Sequence, residues 1–218
     1  MGNTVAVIDY GMGNLHSIAK ALKKASPTSN VIISAKPEEI LAASHVVFPG
    51  VGAIRDCMHT LQQTGLDKTI KEVAQSKPLL GICIGMQALM QHSEENNGVD
   101  CLGILAGNAK KFTHGALDPT GNTLKIPHMG WSQVKTTKEN PLFKNIDENE
   151  RFYFVHSYFV IPTDTSMTIA ETEYPDKYSC ALQHNNIVAV QFHPEKSQHA
   201  GIQLLKNFLD WDGSAQLT

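Results

Sequence analysis

Cysteine at position 83 stands between two glycines in the run Gly81-Ile82-Cys83-Ile84-Gly85. A short apolar stretch from Pro78 to Ile82 leads into it, and helical spacing follows. The pattern G-x-nucleophile-x-G belongs to a strand that turns sharply into a helix with a reactive side chain at the bend. Such a turn strains the backbone and crowds the neighbouring chain, so both flanking positions need a residue without Cβ. Free N–H groups and the positive dipole end at the helix start favour a thiolate over a thiol. The Ile84 N–H would then face a developing oxyanion. Five residues alone leave a second reading open, in which Cys83 is a small apolar residue of the core.

A cysteine nucleophile needs a base, and the stretch Val188–Glu195, VAVQFHPE, offers one. We expect a strand ending in His193-Pro194-Glu195. In an extended chain the side chains at i and i+2 share a face, so Glu195 can meet His193. Pro194 favours an extended His193 and cannot donate to a ladder. The carboxylate would orient the ring and stabilise the imidazolium as it forms. By itself the tripeptide also fits a solvent-facing strand end. The turn Pro49-Gly50-Val51-Gly52 follows another strand and could supply a second oxyanion donor, a backbone N–H near Val51 or Gly52. Glycine on both sides of Val51 lets a peptide rotate at low steric cost; a fixed nest or plain turn is the alternative. His45, His128, His156 and His184 fall near strands or turns without paired ligand spacing, so no metal site is assigned.

These groups need elements to position them. Thr4 to Ile8 reads as a strand, and Leu15, Ile18, Ala19, Leu22 and Ala25 have helical spacing. A strand at 31–34, a short helix opened by Pro37 and Glu38, a strand at 45–48, a helical segment from Ala53 and a strand from Pro78 follow. Alternating strands and helices predict an α/β fold, with a mostly parallel central sheet covered by helices on both faces and functional groups at the carboxyl ends of strands. After a polar stretch at 113–123 the chain turns β-rich: RFYFVHSYFVI, SCALQ and NIVAVQF should extend or flank the sheet. A helix from about Ser197 to Leu209, with Ile202, Leu205 and Phe208 on one face, ends the pattern. We read residues 1–218 as one domain.

Charged residues make up 18% of the 218 and the formal net charge is -3, so there is no basic field for nucleic acid or anionic lipid. The amino terminus lacks a signal pattern, Ala6 spoils a myristoylation match at Gly2, and no run has membrane-spanning length. A soluble, cytoplasmic protein is expected, acting on small molecules or with another protein. Cysteines at 57, 83, 101 and 180, without C-x-x-C pairs, fit a reducing compartment.

In combination, GICIGMQ, PGVG and FHPE, in this order over nearly the whole chain, resemble the class I glutamine amidotransferases. That resemblance implies a glutaminase without cofactor and with a Cys-His-Glu triad. Cys83 would attack the glutamine side-chain amide, His193 would pass a proton to departing ammonia, and water would hydrolyse the glutamyl thioester. Four further segments, DYGMGNLHSI (9–18), PHMGW (127–131), YFVHSY (153–158) and QFHPEKS (191–197), are similar to one family within that class, the glutaminase subunits of imidazole glycerol phosphate synthase in histidine biosynthesis.

In that family the subunit docks on the mouth of a (β/α)8 barrel cyclase as a heterodimer and delivers ammonia to it, forming imidazole glycerol phosphate and aminoimidazole carboxamide ribotide. The cyclase ligand switches the glutaminase on. By the same resemblance, Gln87 and Glu95 hold the glutamine, while Asn14, Met129 and Trp131 face the cyclase. Ser132 departs from the asparagine expected after PHMGW and puts a polar contact across the interface there in doubt. On composition alone Trp131 fits a core strand equally well. Free ammonia is mostly protonated at neutral pH, which favours a closed route between two sites. The rival functions are a γ-glutamyl hydrolase with an open cleft and a catalytically silent binding module. PHMGW argues against the first, and the intact Cys83, His193 and Glu195 against the second.

Overall fold

Residues 3–113, 115, 117, 121–148 and 150–214 are described by the computed structural model. Gly2, parts of the polar stretch 113–123 and the ends of the 1–218 span therefore lie outside the described residues.

The β-branched run Thr4–Ile8 forms β1, and the apolar stripe of Leu15–Ala25 makes it helix α1, burying Ile18, Ala19, Ala21, Leu22 and Ala25. Strand β2 (Asn30–Ser34) leads to α2 (Pro37–Ala42), which begins on a proline whose missing N–H costs nothing in the first turn. Next come β3 (His45–Gly50), α3 (Ile54–Thr64), α4 (Leu66–Val73), β4 (Leu79–Cys83) and α5 (Ile84–Leu89). The helical segment expected from Ala53 is thus two helices. Gly65, left-handed at φ 73°, ends the first and opens the second.

The second half supplies β5 (His92–Ser93), β6 (Val99–Asp100), β7 (Gly107–Lys111), β8 (His128–Gln133), β9 (Lys135–Thr136), β10 (Arg151–His156), β11 (Tyr158–Pro162), β12 (Thr168–Glu173), β13 (Lys177–His184) and β14 (Ile187–Val190). Helix α6 (Gln198–Asp210) follows. The main sheet has the order β2-β1-β3-β4-β14-β13-β11-β7-β5-β6, with β12 on β13 and β9 on β12. Strands β2 through β14 are parallel, and β13, β11 and β7 extend the sheet antiparallel.

Strands β3, β4 and β14 are buried at every residue, as parallel strands covered on both faces must be. The order reverses after β2, and right-handed crossovers then place α1 on one face and α2 on the other. Helix α6 packs on α1, while α3 contacts α4 and α5, and α4 contacts α2.

The register positions the site. Gly50 at the end of β3 is paired with Cys83 at the end of β4, and Val190 at the end of β14 with Ile82. Three adjacent strands therefore deliver the PGVG turn, the cysteine and the approach to His193 at one edge.

One expectation is met in two pieces, and a second needs correction. The aromatic run 151–161 is two strands that break at Ser157 and belong to different sheets: β11 lies in the main sheet, while β10 pairs only with β8 in a two-stranded sheet. The break is driven by Phe152 and Phe154 of β10, which pack on Phe192 with ring centroids 4.2 and 5.6 Å away. Second, the strand expected to end at His193 ends at Val190.

Candidate active site

Cys83 sits at φ 54°, ψ −108°, a conformation that strains any residue bearing a side chain. Both flanking glycines are needed to hold it there. A Cβ on Gly85 would collide with the Phe48 carbonyl oxygen, and one on Gly81 would lie 2.9 Å from Leu89 Cδ1 and 3.2 Å from the Gly85 backbone. Helix α5 after the bend has only six residues, so its support for a sulfur anion comes from first-turn N–H groups, Ile84 among them, more than from an extended dipole.

His193 and Glu195 meet as expected, but for a different reason. His193 precedes a 3-10 turn, Pro194–Lys196, and that turn rather than strand alternation brings Glu195 Oε1 to 2.8 Å from His193 Nδ1. Both side chains are almost fully buried, at 3% and 2% exposed. The carboxylate accepts from Nδ1–H, leaving Nε2 without a hydrogen-bond partner. Burial pushes the imidazole pKa down, yet the Cys83 sulfur and the Glu195 carboxylate together raise it to about 10. An imidazolium beside the sulfur is therefore the stable form at neutral pH.

Cys83 and His193 line one cavity of about 310 Å³ together with Val51, Gly52, Ile84, Gln87, Glu95 and Tyr158. Recesses of about 530 and 600 Å³ elsewhere are lined by none of Cys83, His193 and Glu195. Gln87 is buried, and its amide nitrogen donates to the Tyr158 carbonyl at 3.0 Å and to Gln191 Oε1 at 3.1 Å, while its own Oε1 has no partner. Glu95 is anchored at the cavity wall by the Ile54 N–H, 3.0 Å from Oε2. In the 49–52 turn, Gly52 has φ 91° and Val51 is 39% exposed. Gly50 is pressed so closely that a Cβ there would lie 2.6 Å from the Tyr10 hydroxyl and 2.7 Å from Ile84 Cβ.

A buried polar chain that the sequence did not reveal runs behind this cavity. His128 Nε2 is 2.8 Å from Ser132 Oγ, and His128 Nδ1 is 3.0 Å from the Tyr178 hydroxyl. That hydroxyl is 3.0 Å from His156 Nε2, and His156 Nδ1 is 2.8 Å from the Tyr158 carbonyl. Burial lowers His128 to about 4 and His156 to about 3, so both rings are neutral and each carries one proton.

A carbonyl only accepts, so one terminus sets every direction. His156 Nδ1–H donates to Tyr158, the Tyr178 O–H donates to His156, His128 Nδ1–H donates to Tyr178, and the Ser132 O–H donates to His128. The same carbonyl holds Gln87. Ser132 is thus engaged inside the subunit. Among the described residues no group of three or more His, Cys, Asp or Glu is arranged to hold a metal.

Met129 and Trp131 lie on one side of β8 and are 62% and 42% exposed, opposite Val155 and Tyr153 of β10. The core alternative for Trp131 is thereby removed. Asn14 is exposed at the start of α1 and makes no side-chain capping hydrogen bond. Lys196, not singled out from the sequence, lines the cavity and places its ammonium 5.5 Å from the Tyr153 ring centroid. Gln191 was also missed. The one signal for it was a lone amide in the apolar run 187–192.

A cysteine at the end of one parallel strand, with an imidazole and a carboxylate just past the end of its neighbour, forms an apparatus for breaking a carbonyl–nitrogen bond. The family described as glutamine amidotransferase class-I matches residues 6–211, and the chain belongs to that family of enzymes. Within it the chain belongs with the HisH proteins. It is 51% identical to the imidazole glycerol phosphate synthase subunit HisH of Nitrosococcus oceani, over 97% of this chain and 99% of that one. It is 50% identical to subunit HisH 1 of Pseudomonas aeruginosa, over 98% and 99%. Among solved structures, PurLQS from Thermotoga maritima superposes with a TM-score of 0.71 at 15% identity, covering 96% of this chain and 99% of that one. A glutamine amidotransferase from the same organism gives 0.60 at 16%, covering 89% and 77%. Both share the fold. No helix among the described residues is long and apolar enough to cross a membrane.

Proposed function

We propose that residues 1–218 form a single glutaminase domain that hydrolyses L-glutamine through a Cys83 thioester and passes the ammonia to a (β/α)8 cyclase subunit. The observation that carries this reading is His193, paired at 2.8 Å with the buried Glu195, lining the same cavity as a cysteine in a strained bend. The sulfur bonds to the side-chain carbonyl carbon, and the oxyanion is held by the Ile84 N–H and by a peptide N–H of the 50–52 turn. The carbon–nitrogen bond breaks as the His193 imidazolium gives its proton to the leaving ammonia. His193, now neutral, removes a proton from water, which displaces the sulfur and releases glutamate.

Gln87 and Glu95 hold the substrate in this reading. The unpartnered Gln87 Oε1 suits an ammonium, and Glu95 adds negative charge at the wall. The partner would dock on Met129, Trp131 and Asn14. Val155, opposite Met129 in the strand pair, also lines the cavity, so the distance from released ammonia to that face is short. The relatives' name, a subunit of a synthase, supports a partner that uses the ammonia. The PGVG turn would stay misaligned until the cyclase and its ligand bind.

Ammonia release from glutamine, with and without cyclase and cyclase ligand, tests both parts. Cys83→Ala should abolish release while preserving the fold and partner binding. Persistent turnover in that variant would remove the nucleophile assignment, and a full rate from the isolated subunit would reject gating.

A further inference from the structure

We propose that Gln191 is a catalytic residue whose side-chain N–H donates to Cys83 Sγ and stabilises the thiolate. The proposal deepens the reading above and rests on Cys83 as the nucleophile. Gln191 Nε2 lies 3.7 Å from the sulfur, within hydrogen-bonding range for so large an atom, and the residue is 0% exposed. Its backbone is held too, by an N–H to the Cys180 carbonyl at 2.9 Å.

A glutamine amide can be turned end for end, and here the surroundings decide which end meets the sulfur. The Tyr158 carbonyl accepts, so Gln87 presents nitrogen to it. The same nitrogen reaches Gln191, which must answer with oxygen. The Gln191 nitrogen is left facing Cys83. The donor is thus aimed by a main-chain carbonyl two residues removed, and its partner is the reacting atom.

Cys83 is 4% exposed, so water contributes little to solvating its anion. A buried charge without donors reverts to its neutral form. His193 Nε2, which has no hydrogen-bond partner in the structure, must give up its proton to ammonia during the reaction. Gln191 keeps its protons throughout. When the sulfur–carbon bond forms, the sulfur loses its charge and this contact weakens. When water displaces the sulfur, the charge returns and the contact strengthens, so Gln191 favours thiolate both as nucleophile and as leaving group. Lowering a thiol pKa reduces intrinsic nucleophilicity by only about half as much as it raises the thiolate fraction, which leaves a net gain at neutral pH.

The test is the pH dependence of Cys83 alkylation by iodoacetamide, read by mass spectrometry on the peptide carrying Cys83, with the glutaminase pH profile measured alongside in the presence of cyclase and its ligand. In Gln191→Met, which preserves volume, the alkylation midpoint should rise by about one pH unit, and turnover at pH 7 should fall about tenfold and recover as pH rises. Gln191→Glu, which adds a like charge, should move the midpoint further in the same direction. A midpoint unchanged in both variants overturns the proposal. If neither variant folds, the unsubstituted protein still decides: the Gln191 side-chain amide proton resonance should shift when Cys83 is alkylated, and a resonance that stays put overturns the proposal. These outcomes are separate from a wrong nucleophile, which would appear as turnover by Cys83→Ala.

Discussion

His128 and His156 stand directly opposite each other across the β8–β10 pair, and both rings reach one hydroxyl, that of Tyr178, at 3.0 Å. The strand that exposes Met129 and Trp131 on one side is thereby tied, on the other, to the Tyr158 carbonyl that holds Gln87. A partner pressing on β8 would push on a hydrogen-bonded chain that ends in the cavity lined by Cys83 and His193.

Tyr178→Phe removes the shared hydroxyl and leaves nitrogens of two buried imidazoles unpaired. Each unsatisfied group costs about 1–3 kcal/mol, so a melting temperature lower by roughly 5–10 °C is expected by calorimetry. A change within about 1 °C would mean that water replaces the hydroxyl.

Stability should peak close to pH 6.5. His128 and His156 are held by burial at about 4 and about 3, below the ordinary 6.5, so on acidification the unfolded chain takes up protons that the folded one refuses. Their contribution is complete above 6.5 and is lost as pH falls toward those values. His193 is raised to about 10, so its contribution is complete below 6.5 and is lost as pH rises toward 10.

Gly85→Ala should cost at least about 2–3 kcal/mol in denaturant titrations and abolish glutaminase activity, because the added methyl collides with the Phe48 carbonyl and the bend cannot yield. Gly65→Ala provides the contrast. Its site is open but left-handed, at φ 73°, so the cost is only the backbone strain, about 1 kcal/mol, with activity kept. Equal losses in the two variants would refute the steric explanation.

Trp131→Ala should weaken cyclase binding at least about 30-fold in titration calorimetry, as for a large aromatic anchor. The isolated subunit should lose no more than about 1 kcal/mol, since the indole is 42% exposed and its aromatic contact is one edge-on packing with Tyr153 at 6.0 Å. Unchanged affinity would place the docking surface elsewhere.

Much of this molecule was legible along the chain. Thr4–Ile8, the α1 stripe and the glycines around Cys83 are local matters of side-chain shape and backbone freedom, which neighbouring residues express in sequence. The pairing of Glu195 with His193 was also legible, although the route, a 3-10 turn in place of an extended strand, was not. A proline at 194 is compatible with both conformations, and only the packing of Phe192 against β10 decides between them.

The break at Ser157, the pairing of His128 with His156 and the aim of Gln191 at the sulfur belong to tertiary structure alone. Each depends on residues 28 to 108 positions apart being brought within a hydrogen bond or a strand spacing. Residue types and local spacing determine what chemistry a chain can carry and where it bends. Which polar groups satisfy one another is set once burial has removed water as the alternative partner, and no stretch of sequence encodes that choice by itself.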